Sequence, residues 1–515
     1  MLAIGLDMGD GGLIRHWIRH RRLPHFADLQ ASGTFFDLDS TAEVLHTSTW
    51  PTFATGTLPG THGVYYPYQA RPGHQLAQYI GADQYGASTI WAQANAAGRQ
   101  AVVYDIPETF PEPSFAGRAV FDWGTWAWYG EPSAQPRELL GQLSSQFGAY
   151  PLGFEAKRLG LGIPDHLEDR LLRSIRYKAT TAQWLLERGE WSLSAMAFCE
   201  THPAGHYLWP QGADAVSGDD PRFEPLYRVY AAIDEGIGAL RAAAPSDTTI
   251  VVVSGDGVRP NRCGWHLLPP LLNRLGYLTS GQGHAPAAET GQTTPRGSGS
   301  LIGKVHGLIP PSARRMVTAS LPWRFRDRLG VWLQTRSIDW SRTRAFTLPT
   351  DLEGCIRINV KGREPRGIVE AGSHYDDVCQ EIRARLEELE NPATGRRAVR
   401  RVWLRNEVFP GPRREQLPDV IVSWNDDAPI DAVVSPRAGA IAGVNPDPRP
   451  GTHSTRGFAL AVGPAVAAGV ESRGHLADIP ASILAILGVD ARTRIDGQVL
   501  APLTGARSHS SMSGR

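Results

Sequence analysis

The sequence predicts an α/β protein: a mostly parallel central sheet flanked by helices on both faces, with inserted cap regions. Apolar runs of strand length recur at residues 2–6, 101–104, 193–198, 249–254, 420–423 and 459–462. Helical patterns alternate with them, at about 12–31, 165–188, 224–243, 266–275, 375–390 and 479–487. Strands that alternate with helices are joined by crossovers, which makes the sheet parallel and covers both its faces. Ligands of such sheets bind beyond the carboxyl ends of the strands.

The first run, Ile4-Gly5-Leu6, ends in Asp7. A carboxylate leaving a buried strand is costly unless it caps a helix or meets a cation. Asp10 is placed to cap the following helix, which frees Asp7 for a metal; a cap at Asp7 itself is the alternative. Next comes the hydroxyl-rich stretch Thr47-Ser48-Thr49-Trp50-Pro51. Pro51 suits the first turn of a helix, so a hydroxyl just ahead of it stands at a helix N-terminus, as an N-cap or facing a phosphate.

Two stretches interrupt the alternation: 107–164, rich in Trp, Pro and Gly, and 281–336, which opens on a Gly/Thr/Ser/Pro linker. Both are read as caps over the active edge, leaving 1–106, 165–280 and 337–505 as the α/β core and 506–515 as a disordered tail. Trp123, Trp126 and Trp128 are suited to stack on a nucleobase or an apolar leaving group.

The run 193–198 delivers Glu200-Thr201-His202-Pro203-Ala204-Gly205-His206, where Pro203 and Gly205 stop the strand. Strand alternation puts Glu200 and His202 on one side, and a turn returns His206 to His202. The run 249–254 leads into Gly255-Asp256-Gly257, whose glycines allow close backbone approach. His453, in Gly451-Thr452-His453-Ser454, precedes the run 459–462. His202, His206 and His453 form a three-imidazole set suited to zinc, and Asp7 with Asp256 a harder set that accepts zinc, manganese or magnesium. Two such ions stabilise the attacking and leaving oxygens of a displacement at phosphorus.

Lys+Arg and Asp+Glu both total 52, so no net field recruits a nucleic acid polymer or a membrane. The four cysteines are scattered, without C-x-x-C spacing, and make no disulfide framework. Residues 1–7 run into a strand with no charged leader, and no run of about 18 uncharged apolar residues occurs. A soluble, cytoplasmic protein is the expectation.

Taken in order, these residues resemble the alkaline phosphatase superfamily, in its type I phosphodiesterase/nucleotide pyrophosphatase branch. The likeness includes Gly5-Leu6-Asp7, Thr49-Trp50-Pro51, Thr55-Gly56 with Pro59 and His62-Gly63, the stretch 201–209, Ser254 to Gly257, Asn359 to Glu364, Pro418-Asp419 and the stretch 451–464. It implies a hydrolase of small phosphate esters, either phosphodiesters or pyrophosphates of nucleotide-like kind. It also implies two divalent metal ions, zinc first, with manganese, iron or magnesium as others, and a Thr or Ser that forms a covalent phospho-enzyme.

Asp7, His206 and His453 match the family's metal ligands. His202 stands where the family has aspartate, and Ser254-Gly255-Asp256-Gly257 replaces Ser-Asp-His-Gly. Glu200 is the candidate to make good the missing ligand, with His266 second. The family's nucleophile precedes a proline by two residues, which selects Thr49; a shortened spacing to Thr55-Gly56 keeps Ser48 and Thr47 open. Trp50, beside them, is expected to bind substrate. A phosphomonoesterase or phosphonate hydrolase of the same superfamily, or a member that binds a nucleotide or metabolite without cleaving it, are the other readings.

Overall fold

The computed structural model describes residues 1–81, 85–124, 132–152, 166–216, 220–280, 338–490 and 494–505. Its centre is a nine-stranded sheet. In chain order the strands are β1 (Leu2–Leu6), β2 (Thr34–Asp39), β3 (Ala101–Tyr104), β4 (Arg118–Phe121), β5 (Ser133–Gln135), β6 (Leu193–Phe198), β7 (Ile250–Ser254), β8 (Gly457–Val462) and β9 (Val470–His475). Across the sheet they lie in the order β9-β2-β8-β7-β1-β6-β3-β4-β5. All but β5 and β8 run the same way.

The central strands bury both faces. Leu2, Ile4 and Leu6 join Met196, Phe198 and Val252 in one core, while Ala3 joins Ala195, Ala197, Val251 and Val253 in the other. The helices that matter for the site are α1 (Gly11–Arg19), α2 (Thr49–Thr55), α3 (Leu167–Leu186), α4 (Thr201–Leu208), α5 (Glu224–Ala243) and α6 (Asp478–Ile486). Leu171 and Ile175 of α3 and Ile233 and Ile237 of α5 cover the first face; Phe53 and Ala54 of α2 and Ile479 and Ile483 of α6 cover the second. Burial on two sides is why these strands read as continuous apolar runs. Leu6 lies opposite Phe198 and Gly5 opposite Val253, so β1, β6 and β7 end nearly level. The residues leaving these three strands therefore emerge together at one edge.

Three expectations are corrected. The helix predicted at about 12–31 is two, Gly11–Arg19 and Pro24–Ser32. Arg21 takes a positive φ of 57° between them, and Pro24 starts a new helix, as proline at a first turn does. The predicted strand at 420–423 is Val420–Trp424, and it lies outside the central sheet. It pairs in a four-stranded sheet with Ala345–Thr347, Gly354–Ile358 and Val399–Leu404. That sheet has its own core, which includes Ile356, Ile358, Val420 and Val422. Finally, the stretch 107–164 contributes β4 and β5 to the edge of the main sheet instead of standing wholly apart as a cap. Trp123 packs against the first core; Trp126, Trp128, the stretch 281–336 and the tail 506–515 lie outside the described residues.

His62 fastens α2 from behind. Its Nδ1 accepts from the Val64 N–H at 3.0 Å, and its Nε2 is 3.2 Å from Thr52 Oγ1. Full burial pushes its pKa down to about 3 from an ordinary 6.5. The unfolded chain therefore takes up a proton that the folded chain refuses, so stability falls as pH drops from about 6.5 toward 3, by up to about 1.4 kcal/mol per pH unit from this residue. Replacing His62 with Gln is expected to remove one proton's worth of slope from urea-unfolding free energies measured between pH 6.5 and 4; an unchanged slope would contradict the assignment.

Candidate active site

Asp10, not Asp7, caps α1: the Leu13 N–H donates to Asp10 Oδ1 at 2.8 Å. Asp7 instead turns its carboxylate along the sheet edge. Trp50 Nε1–H donates to Oδ1 and His202 Nδ1 meets Oδ2, both at 2.8 Å. The indole reaches Asp7 by packing against β1 at Gly5, where a Cβ would stand 2.3 Å from the ring. Trp50 is thus buried beneath the site as a support for Asp7, and not presented to a ligand as the sequence suggested.

Immediately after β6 the chain turns helical. Thr201 Oγ1 donates to the Asp7 carbonyl at 2.6 Å, stitching the start of α4 to the end of β1. Residues four apart share a helix face, so the rings of His202 and His206 meet with centroids 4.7 Å apart, tilted by 50°. The same turn defeats the alternation that would place Glu200 beside them. Glu200 Oε1 accepts instead from Tyr150 Oη at 2.6 Å and Ser174 Oγ at 2.5 Å, with Lys178 Nζ at 3.9 Å. It belongs to a buried network around α3 and is not a fourth ligand. His266, the second candidate, is also elsewhere, with Nε2 donating to the Gly443 carbonyl at 3.0 Å.

After β7 the chain forms a two-stranded antiparallel ribbon, Gly257–Pro260 with Gly451–Ser454, in which Val258 faces His453. The ribbon brings His453 Nδ1 to 2.5 Å from Asp256 Oδ2. It also offers the Gly451 carbonyl to His206 Nδ1 at 2.8 Å. Each of the three imidazoles therefore has its Nδ1 held, by Asp7, Gly451 or Asp256. Their ligand atoms lie within 4.8 Å of one another, and His206 Nε2 is buried with no hydrogen-bond partner. An acceptor on one ring nitrogen fixes the tautomer and leaves the other as a metal ligand, so the trio fits a metal ion.

Charge agrees with geometry. Burial, then the neighbouring Arg449 and His202, hold the His206 pKa well below its ordinary value. Burial, then His46, His202 and His206, does the same for His453. Both are neutral at pH 7, which is the form that binds metal. The Asp256 pKa is pushed well up by burial and then by Asp7. A divalent cation between the two carboxylates would relieve that repulsion.

Only one hydroxyl of the Thr47-Ser48-Thr49 stretch is uncommitted. Thr47 Oγ1 donates to the Tyr65 carbonyl, and Ser48 Oγ to the Val64 carbonyl at 3.0 Å. Thr49, the first residue of α2, has no hydrogen-bond partner for its hydroxyl among the described residues. Its side chain lies against Gly255, where an added Cβ would come within 2.6 Å of Thr49 Cβ. The missing side chain of Gly255 is what lets Thr49 approach the strand end beside Asp256.

Sequence reasoning missed His46. Glu353 grips it twice, accepting from its backbone N–H and meeting its Nδ1, both at 2.8 Å, while Nε2 is 3.3 Å from Asp351 Oδ1. Its ring centroid is 4.5 Å from that of His453. Burial opposes its charge, but Glu353 and Asp351 outweigh burial and raise its pKa well above the ordinary value. The one local hint was its place three residues ahead of Thr49.

The type I phosphodiesterase / nucleotide pyrophosphatase family model matches residues 1–285, more than half of the chain. The chain belongs to this family. It is a phosphoric ester hydrolase of a metal-dependent family, and its three clustered histidines can hold a metal. Among solved structures it is similar to murine ectonucleotide pyrophosphatase / phosphodiesterase 5, at 13% identity over 96% of each chain with a TM-score of 0.48. It is similar also to phosphonoacetate hydrolase from Sinorhizobium meliloti 1021 in complex with phosphonoformate, at 12% identity over 95% of each chain with a TM-score of 0.49. No curated protein sequence matches it. No helix among the described residues is long and apolar enough to cross a membrane.

Replacing His206 with Ala removes the ligand atom that has no other partner. Elemental analysis of the purified variant is expected to show one metal ion fewer per chain than the parent, and added zinc to raise its Tm less. Undiminished metal content would contradict the trio as a metal site.

Proposed function

We propose that this chain hydrolyses small phosphate esters, either phosphodiesters or pyrophosphates, with Thr49 as nucleophile. The reading includes two divalent ions, one held by His202, His206 and His453 and one by Asp7 and Asp256. The observation that carries it is the uncommitted Thr49 hydroxyl, set against the strand end that bears Asp256, at the edge where three imidazoles converge. An all-nitrogen trio suits zinc, and a carboxylate pair suits zinc, manganese or magnesium. When bound, such ions neutralise the charge that builds on the phosphoryl oxygens.

The residues of the chain account for the rest. Asp7 and Asp256 hold His202 and His453 in single tautomers, and Gly451 does so for His206. Trp50 fixes Asp7 from below. Thr49 Oγ1 forms a bond to phosphorus as the bond from phosphorus to the ester's alcohol breaks; Thr49 gives up its proton and the departing alkoxide gains one. Water then breaks the bond between Thr49 and phosphorus, releasing the phosphate product and restoring the hydroxyl. The four cysteines are all unpaired and buried, in keeping with a cytoplasmic location.

With bis(p-nitrophenyl) phosphate as substrate, Thr49→Ala is expected to lower kcat by at least about 1000-fold. Ser48→Ala, which removes only a hydrogen bond to a carbonyl, should stay within about tenfold, a loss of about 1.4 kcal/mol. The opposite ranking would move the nucleophile to Ser48.

A further inference from the structure

His46 touches both halves of the proposed site. It opens the turn His46–Ser48 that leads into α2, and the Thr49 N–H donates to its carbonyl. Its ring centroid is 4.5 Å from that of His453, with the two planes tilted by 41°. Thr49 and His453 lie far apart in the chain, and His46 makes contact with each.

The His46 side chain is gripped at both ring nitrogens. Nδ1 donates to Glu353 Oε2 and the backbone N–H to Glu353 Oε1, both at 2.8 Å, while Nε2 pairs with Asp351 Oδ1 at 3.3 Å. Glu353 directly precedes the strand Gly354–Ile358, so the grip comes from the four-stranded sheet. Asp351 is held in turn by Arg449, whose Nη2 donates to Oδ2 at 3.0 Å. Arg449 stands two residues before Gly451, where the ribbon strand that carries His453 begins. These links close a ring: from Thr49 to His46, to Asp351, to Arg449, along the chain to His453, and back to His46.

Stability alone does not call for this ring. Burying an imidazole between two carboxylates costs desolvation that the ion pairs do little more than offset, and apolar side chains of similar size often serve as well. What the anchored imidazole adds is fixed geometry. Thr47 and Ser48 tie the turn to the carbonyls of Tyr65 and Val64, and His46 ties it to the trio. The Thr49 hydroxyl has no hydrogen-bond partner of its own among the described residues, so the place of its backbone sets the place of its oxygen. For a reacting atom, a displacement of about 1 Å can cost about 100-fold in rate.

We propose that His46 is a positioning residue: gripped by Glu353 and Asp351, it holds Thr49 at a fixed place relative to the three imidazoles, so that the hydroxyl meets phosphorus in the transition state. The inference rests on the hydrolase reading with Thr49 as nucleophile.

Calorimetric titration of the zinc-loaded protein with dilute orthovanadate and with inorganic phosphate tests this. Vanadate copies the five-coordinate transition state only when Thr49 Oγ1 bonds to it, whereas phosphate needs the metal ions alone, so vanadate is expected to bind the unmodified protein at least about 100-fold more tightly. His46→Ala should raise the vanadate Kd at least about tenfold and leave the phosphate Kd within about twofold, with zinc content unchanged. With bis(p-nitrophenyl) phosphate, kcat should fall at least about tenfold while KM stays within about twofold. Glu353→Gln should show the same pattern in smaller measure, and the double variant should be no worse than His46→Ala, because Glu353 acts through His46. An unchanged vanadate advantage in His46→Ala, an equal loss for both anions, or a loss of zinc would overturn the positioning role with the hydrolase reading intact. If His46→Ala does not fold, Glu353→Gln decides by the same outcomes. Vanadate binding the unmodified protein no tighter than phosphate would remove Thr49 as nucleophile, and this inference with it.

Discussion

Asp7 brings a carboxylate to the end of the central strand at 6% exposure, where leaving it unpaired would cost several kcal/mol. The way it is satisfied organises the site. One oxygen takes Trp50, which lies over Gly5 and so sets α2 with Thr49 at its start. The other takes His202, which sets α4 and with it His206. Thr201 clips the same corner through the Asp7 carbonyl. The Thr49 hydroxyl and the imidazoles are thus placed by one carboxylate, and a network of this kind is worth more than its separate bonds.

A second carboxylate repeats the device. Asp256 leaves β7 as Asp7 leaves β1, and it holds His453 through a ribbon whose other strand arrives from nearly two hundred residues downstream. The parallel sheet makes the two arrangements converge, because its level strand ends deliver both carboxylates to one edge. The outcome is an uneven pair of side-chain groups. Three imidazoles stand on one side, and two mutually repelling carboxylates beside an open hydroxyl stand on the other. Gly255 fits this account: its missing side chain admits Thr49.

Much of this was legible in the sequence wherever the signal was local. Asp7 and Asp256 announce themselves as acids at the ends of apolar runs, Asp10 as a cap, and His206 and His453 through motifs in family order. Glu200 was misplaced because strand alternation was carried two residues past Phe198, into what is a helix. Trp50 was read as a ligand contact because its burial depends on Gly5, a tertiary contact that no periodicity reveals. His46 was invisible for the same reason: its partners Asp351 and Glu353 lie about three hundred residues away. Periodicity likewise showed a strand near 420–423 without showing which sheet it joins. β2 escaped because Asp37 interrupts its apolar run on a half-exposed face.

Anomalous X-ray diffraction above the zinc edge, from crystals of the metal-loaded chain, tests the account most directly. The arrangement of Asp7, His202, His206, Asp256 and His453 predicts one peak bounded by the Nε2 atoms of the three histidines and a second bounded by Asp7, Asp256 and Thr49 Oγ1. A trio without density, or zinc bound at Glu200 or His266 instead, would contradict it.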